Sequence, residues 1–372
     1  MATFVWQSNH ANMMRLLFKA TLVILLLTQK ISFGQEMLKV AIAGLSHDHV
    51  HLLLNLYEQK KVDIVGIAES DPQLVQRMQT RYHIPDHLIF ENLSHLLERV
   101  KPAVVLAYNP TDEHVQVAEL CMPLKIPVMA EKPLAINKKQ AKRIAELANE
   151  HHTLFLTNYE TTWYKSNQHL KRLVDEKATG TITKMMVKDG HQGPREIGCS
   201  EDFLRWLTDP AKNGGGALMD FGCYGANLMT WLKKGERPKA VTAITKQLKP
   251  DIYSKVEDDA TIVLEYQDGS TGVIQASWSW PYSVKDLQVF GAEGQWHAVD
   301  DTTLLKYPAH QKPSKIQLPD NYYENHLAYL QAILNGKLQS DDDLSSLSNN
   351  LIVVEILEAA KKSAAEGKRI LL

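Results

Sequence analysis

Cysteine is scarce in this chain of 372 residues: there are three, Cys121, Cys199 and Cys223. None stands at the spacing of a thiolate metal site, and each lies in or beside an apolar stretch. All three read as reduced structural residues, and no metal site is expected. A surplus of either charge is also missing. Lysine and arginine number 41 against 43 aspartates and glutamates, a formal net charge of −2. A nucleic-acid partner would call for a basic excess. Internal repeats and low-complexity tracts are absent. The apolar run near the start, Ala20 to Leu27, falls short of the ~20 residues of a membrane span. It follows Arg15 and Lys19 and precedes Ser32-Phe33-Gly34, the order of a secretory signal, so residues 1–34 read as a signal peptide with an upstream extension. The mature protein is then expected in a periplasm or outside the cell, without a membrane span.

What is present is a core of ordinary size, with 44% hydrophobic residues, in a chain long enough for two domains. Leu38–Ala43, Val62–Ala68, Ala103–Ala107, Pro127–Ala130 and Thr153–Leu156 read as buried strands. They alternate with helices after Gly44, at Pro72–Tyr82, from His114, and at Asn137–His151. Continuous apolar strands between helices indicate a parallel sheet covered on both faces. After about Asn158 the pattern changes. One helix, Trp163–Lys177, precedes longer alternating strands at 182–189, 239–247, 259–266, 271–280 and 285–291. These predict an antiparallel sheet with one open face, followed by helices at 325–335 and 343–366. The division expected is 36–157 for a nucleotide-binding domain and 158–372 for a second, α+β domain.

The turn after the first strand is short of glycine. A dinucleotide-binding unit would place glycines at Gly44, Ser46 and His49, and only Gly44 is one. Ser46 can still approach a phosphate and donate its hydroxyl; His49 cannot mimic a glycine. Glu69 ends the second strand ~25 residues on, where a carboxylate accepts hydrogen bonds from the adenosine ribose and repels a 2′-phosphate. NAD is therefore expected over NADP. His47, His49 and His51 crowd the same turn, with His47 and His51 expected on one helix face. They read as neighbours of the pyrophosphate or the substrate entrance.

Two further segments carry chemistry. Glu131-Lys132-Pro133 follows the fourth strand at the carboxyl edge of the sheet, where ligands of open α/β sheets bind. The Lys132 ammonium can donate to a substrate hydroxyl or ketone oxygen, and its pKa is expected to fall beside an oxidised nicotinamide. Gly214-Gly215-Gly216 opens a helix on which Asp220, Tyr224 and Asn227 share one face. Asn158, Tyr159, Thr161 and Trp163, then His191, Gln192 and Arg195, and Trp206 with Asp209, could shape a polar pocket. His191 stands out, because no core requires a Gly-His-Gln-Gly-Pro loop.

Lys39 to Gly44, Asn109-Pro110 with His114, Glu131 to Ala135 and Gly214 to Asn227 together resemble the glucose–fructose oxidoreductase, inositol dehydrogenase and rhizopine-catabolism (Gfo/Idh/MocA) family. The resemblance implies an N-terminal Rossmann domain and a C-terminal domain whose open sheet forms a homodimer or homotetramer. It implies NAD(P)-linked oxidation or reduction of a sugar or polyol carbon. Lys132 matches the substrate-binding lysine, and Asp220 the aspartate of the triple-glycine segment. Tyr224 stands where many members have histidine, a departure that resembles the glucose–fructose oxidoreductase branch, which uses tyrosine. Asn109 and His114 match positions beside the nicotinamide, with Glu131 and Lys132 on the same edge. Tyr224 is then the expected general base or acid, its pKa lowered by Lys132 and the oxidised ring. Asn158, His191, Asp220 and Lys132 would bind substrate. An exported enzyme finds no free nicotinamide pool, so its cofactor should be tightly bound. The same residues would serve an NAD-assisted glycosidase or lyase working through a 3-keto sugar, and a silent sugar-binding member would keep only the fold.

Overall fold

In the computed structural model, residues 37–320, 322–340 and 343–372 are described. The expected signal segment lies outside the described residues. Strand β1 (Lys39–Ala43) leads to α1 (Val50–Glu58), β2 (Asp63–Ala68) to α2 (Pro72–Tyr82), and β3 (Ile89–Phe90) to α3 (Leu93–Arg99). Then β4 (Val104–Ala107) leads to α4 (His114–Cys121), β5 (Val128–Glu131) to α5 (Lys138–His151), and β6 (Phe155–Asn158) ends the sheet. All pairings are parallel, in the order β3-β2-β1-β4-β5-β6. Every residue of β4 and β5 is buried, as helices on both faces require. The strand order reverses between β1 and β4, which opens a crevice at their carboxyl ends.

The pair β3–α3 was not expected from the sequence. Its strand has two residues and its helix seven, too few for a periodic signal. The helix starts because the Asn92 side chain accepts from the His95 amide at 2.9 Å. The helix α2 starts on a stronger signal: Asp71 accepts from the amides of Gln73 and Leu74, with Pro72 in the first helical position.

The second half opens with α6 (Lys165–Asp175) and β7 (Ile182–Gly190), followed by three short helices, α7 (Glu201–Leu207), α8 (Pro210–Asn213) and α9 (Ala217–Asp220). The longer α10 (Gly222–Leu232) precedes β8 (Ala240–Lys246), β9 (Asp259–Glu265), β10 (Thr271–Ser277), β11 (Val284–Gly291), β12 (Gly294–Ala298), β13 (Leu304–Tyr307) and β14 (Ser314–Ile316). Helices α11 (His326–Leu334) and α12 (Leu347–Glu366) and strand β15 (Ile370–Leu371) close the chain. The nine strands run β14-β13-β12-β11-β7-β10-β9-β8-β15. The sheet is mostly antiparallel, with one correction: β7 and β10 are parallel neighbours. The chain leaves β7 through four helices and returns beside it, a crossover that alternation within single strands cannot reveal. Residues of β9 alternate between buried and half-buried. The buried face meets α10, every residue of which is buried, and α12. No helix among the described residues is long and apolar enough to cross a membrane.

Candidate active site

Lys132 leaves β5 at the carboxyl edge of the first sheet, and its peptide bond to Pro133 is cis. Its side chain is buried and donates to Asp220 Oδ1. The other carboxylate oxygen, Oδ2, accepts from Trp278 Nε1 at 2.9 Å. Asp220 is the last residue of α9. That helix is held by the Glu257 carboxylate, whose Oε1 accepts from the amides of Gly216 at 2.8 Å and Leu218 at 3.1 Å.

The single helix expected from Gly214 to Asn227 is in fact two, broken at Phe221. Asp220 therefore ends one helix and Tyr224 lies in the first turn of the next. Asn227 turns away from Lys132: its amide donates to the Leu344 carbonyl at 2.7 Å. Tyr224 still reaches the lysine, whose Nζ is 5.4 Å from the ring centre. Lys285, bonded to Glu160, sits 5.0 Å from the same ring.

The electrostatics differ from expectation. Burial alone would lower the Lys132 pKa, but Asp220 and the lesser negative charges nearby outweigh it and hold the ammonium above the ordinary lysine range. Burial likewise opposes the Asp220 charge, yet Lys132 and Trp278 keep it below the usual carboxylate range. Tyr224 moves up, not down: burial and the acids Glu160 and Asp189 both resist a phenolate. Trp278, Glu160, Lys285 and Asp189 were not singled out in the sequence. They come from strands and a loop far apart in the chain, and only the sheet register unites them.

Beside this group, at the crevice, lies a cavity of about 780 Å³ lined by Gly44, Ser46, Glu69 and Asn109 among others. Gly44 has φ +80°, and a Cβ there would stand 2.6 Å from Asn109 Cβ, so close approach requires glycine. The Asn109 Oδ1 atom is buried without a partner. Glu69 accepts from the Leu45 and Asp71 amides, each at 2.9 Å. Each carboxylate oxygen keeps a further lone pair for a ribose hydroxyl. Aspartates 71, 112, 202 and 209 and glutamates 91 and 113 also line the cavity, against Arg205 and Lys212. A cradle of this size with glycine at its base fits a nicotinamide dinucleotide.

The other residues expected at the cofactor, His47, His49, His114, Glu131 and Lys132, are not among those that line this cavity. His114 is buried and bonds the Leu134 carbonyl at 3.1 Å, not at the surface. His49 meets Glu131 at 2.9 Å, and Asn158 donates to the other Glu131 oxygen at 2.8 Å. His51 does not share a face with His47; it lies 2.8 Å from the Tyr82 hydroxyl. Neighbouring residues of the same turn dock the second half. Asp48 accepts from Ser200 Oγ at 2.6 Å and from its amide at 2.8 Å, and the His47 ring packs on Phe203 at 4.6 Å. These two side chains, at positions 47 and 48, bind α7 and the serine that caps it.

Nε2 of His47, Nδ1 of His49 and Oε2 of Glu131 lie within 4.8 Å of one another, the reach of a cation site. Yet His47 Nδ1 accepts the His49 amide at 3.2 Å. That bond leaves the neutral ring's proton on Nε2, the atom a metal would need, which is buried 3.8 Å from Glu131 Oε2 without a hydrogen-bond partner.

His191 lines a second cavity of about 610 Å³ with Glu160, Tyr164 and Lys285. Burial lowers the pKa of His191, and of His326 beside Glu131, to about 4. Such a histidine is neutral in the fold and titrates near ~6.5 when unfolded. Its stabilising contribution is complete above ~6.5 and is lost as pH falls toward about 4. For the buried His326, unfolding free energy should drop by up to ~1.4 kcal/mol per pH unit in that window. Urea unfolding of wild type and His326→Phe at several pH values checks this: the variant should show the shallower acid loss.

Residues 38–159 match the oxidoreductase family with an NAD-binding Rossmann fold, and residues 167–297 match the GFO/IDH/MocA C-terminal domain. The chain belongs to the Gfo/Idh/MocA family. Among relatives, the trans-1,2-dihydrobenzene-1,2-diol dehydrogenase of Bos taurus is 23% identical, covering 69% of this chain and 72% of its own. The myo-inositol 2-dehydrogenase of Thermotoga maritima is 22% identical, covering 83% and 92%. Among solved structures, an aldose–aldose oxidoreductase from Caulobacter crescentus superposes with TM-score 0.76 at 21% identity, covering 91% of this chain and 100% of its own. An inositol dehydrogenase homolog complexed with NAD+ from Azotobacter vinelandii gives 0.77 at 15%, covering 91% and 98%. At these identities the superpositions establish the shared fold. As a Gfo/Idh/MocA protein, this chain is an NAD-binding oxidoreductase.

Proposed function

We propose that this protein transfers hydride between NAD and a hydroxyl- or carbonyl-bearing carbon of a sugar or polyol. One observation carries the reading. Lys132 from the first sheet and the Asp220–Tyr224 segment from the second half meet at the crevice edge, beside a cavity that fits a dinucleotide. When bound, NAD supplies or accepts the hydride. Lys132 donates a hydrogen bond to the substrate oxygen, and Asp220, itself fixed by Trp278, aims the ammonium. Tyr224 keeps its proton at neutral pH and acts as the general acid for carbonyl reduction, leaving a phenolate; alcohol oxidation starts from that phenolate, which takes the hydroxyl proton. Names of relatives support an alcohol substrate, a diol in one case and an inositol in another. The acid rim around Glu69 and Asp71 favours NAD over NADP by repelling a 2′-phosphate.

The proposal extends to organisation. Residues 36–157 bind the cofactor and 158–372 bind substrate and form a dimer or tetramer through the open sheet. The signal-like N-terminus directs the chain to a periplasm, with its cofactor tightly held. Mass spectrometry of the purified, denatured protein should release NAD or NADH, and absorbance changes with added sugars and polyols should follow. A preparation that neither releases nor takes up either form, and oxidises or reduces none of those substrates, would overturn the reading.

A further inference from the structure

Asp189 is a chemically demanding group near the site that the mechanism above leaves unused. It is the penultimate residue of β7, is 1% exposed, and neither carboxyl oxygen has a hydrogen-bond partner. Buried polar groups are rarely left so, and a carboxyl group least of all. Its cross-strand neighbours are Ala276 on β10 and Lys285 on β11. Lys285 does not bond it but turns to Glu160 and to the face of Tyr224. The ring of Tyr224 thus has Lys132 near it and also Lys285, the neighbour of Asp189. Asp189 stands within electrostatic reach of Lys285, Glu160, Asp220 and Lys132. Glu160 and Lys285 also line the 610 Å³ cavity that holds His191.

We propose that Asp189 is a substrate-binding residue that takes a second hydroxyl of a vicinal diol or polyol while the reacting hydroxyl lies at Lys132. This rests on the hydride-transfer reading and names the substrate feature that selects among alcohols. Burial raises the Asp189 carboxyl well above the ordinary carboxylate range and so favours its protonated form. A neutral acid offers one O–H donor and free acceptor lone pairs, the complement of a hydroxyl that can both give and take a hydrogen bond. A simple alcohol leaves both oxygens as they are, unpaired. A site built around a buried polar group discriminates against the analogue that lacks its partner.

The test uses the NAD-loaded protein and isothermal titration with myo-inositol, glucose and glycerol, with cyclohexanol as the single-hydroxyl comparison. Wild type should bind at least one polyol. Asp189→Leu should weaken that binding ~10-fold or more, and Asp189→Asn, which still donates and accepts, should stay within ~3-fold. Cyclohexanol should not distinguish the three proteins. Asp189→Ala serves if the leucine variant does not fold, as judged by its thermal melt. Equal polyol binding by wild type and the truncated variant would overturn the proposal and assign the carboxyl to solvent. Failure of wild type to bind any of the polyols would overturn it too. Polyol binding that depends on Asp189, with no hydride transfer, would sink the oxidoreductase reading alone and leave this one standing.

Discussion

Replacing Lys132 with methionine should lower turnover by ~10²-fold or more while NAD stays bound. Methionine keeps most of the volume but removes the ammonium that meets the substrate oxygen. The cavity lining is untouched, so cofactor content should match wild type. Stability should fall as well. The Asp220 carboxylate, buried and partnered otherwise by Trp278, loses its counter-charge, a change that costs about 3–5 kcal/mol. The two effects separate in the double variant Lys132→Met with Asp220→Asn. Removing both charges should restore much of the stability and none of the turnover. Tyr224→Phe should also cost ~10²-fold in turnover, with little change in stability because its ring contacts remain. Wild-type turnover in both single variants, measured by the absorbance of the reduced cofactor, would dispose of the assignment.

The largest effect on folding is expected from Gly216→Ala. A Cβ at this position would overlap the Glu257 carbonyl oxygen, a backbone atom that cannot swing aside, and would press on Val256. The same Glu257 carbonyl accepts from the Ala217 amide at 3.0 Å, and its carboxylate holds the first turn of α9. One added methyl therefore separates α9 from the loop before β9 that fixes it, and Asp220 at the end of α9 leaves Lys132. Destabilisation of ~3 kcal/mol or more is expected, above the usual range for overpacking because the obstruction is backbone. Urea unfolding measures it. A loss below ~1 kcal/mol would mean that Glu257 can shift, and the close packing of the triple-glycine turn would have to be reconsidered. Gly214 has a different requirement, a φ of +82°, which ends α8.

Much of the site was legible from local chemistry. Lys132 was placed by the strand before it, because a parallel strand delivers its next residue to the ligand edge. Gly44 and Glu69 were placed by their positions at the ends of β1 and β2. Asp220 and Tyr224 were readable as a pair, though through the wrong geometry. A continuous helix would have set them on one face, whereas the break at Phe221 gives each its own helix. The pKa directions of Lys132 and Tyr224 were misread for a related reason. The sequence shows neither the depth of burial nor the acids brought by other strands, and those two influences raise Tyr224.

Apolar runs, their alternation with helices, and the change of pattern after Asn158 determined by themselves that a covered parallel sheet is followed by a mostly antiparallel one. Local periodicity is enough for that, since it records which faces must be buried. The tertiary structure alone decided that Trp278 would hold Asp220, that Lys285 would lie over Tyr224, and that Asp189 would be sealed beside them without a partner. Contacts of this group join residues as much as 125 positions apart along the chain, as with Glu160 and Lys285. They exist because strand register and crossover place them, and neither is written in any single segment.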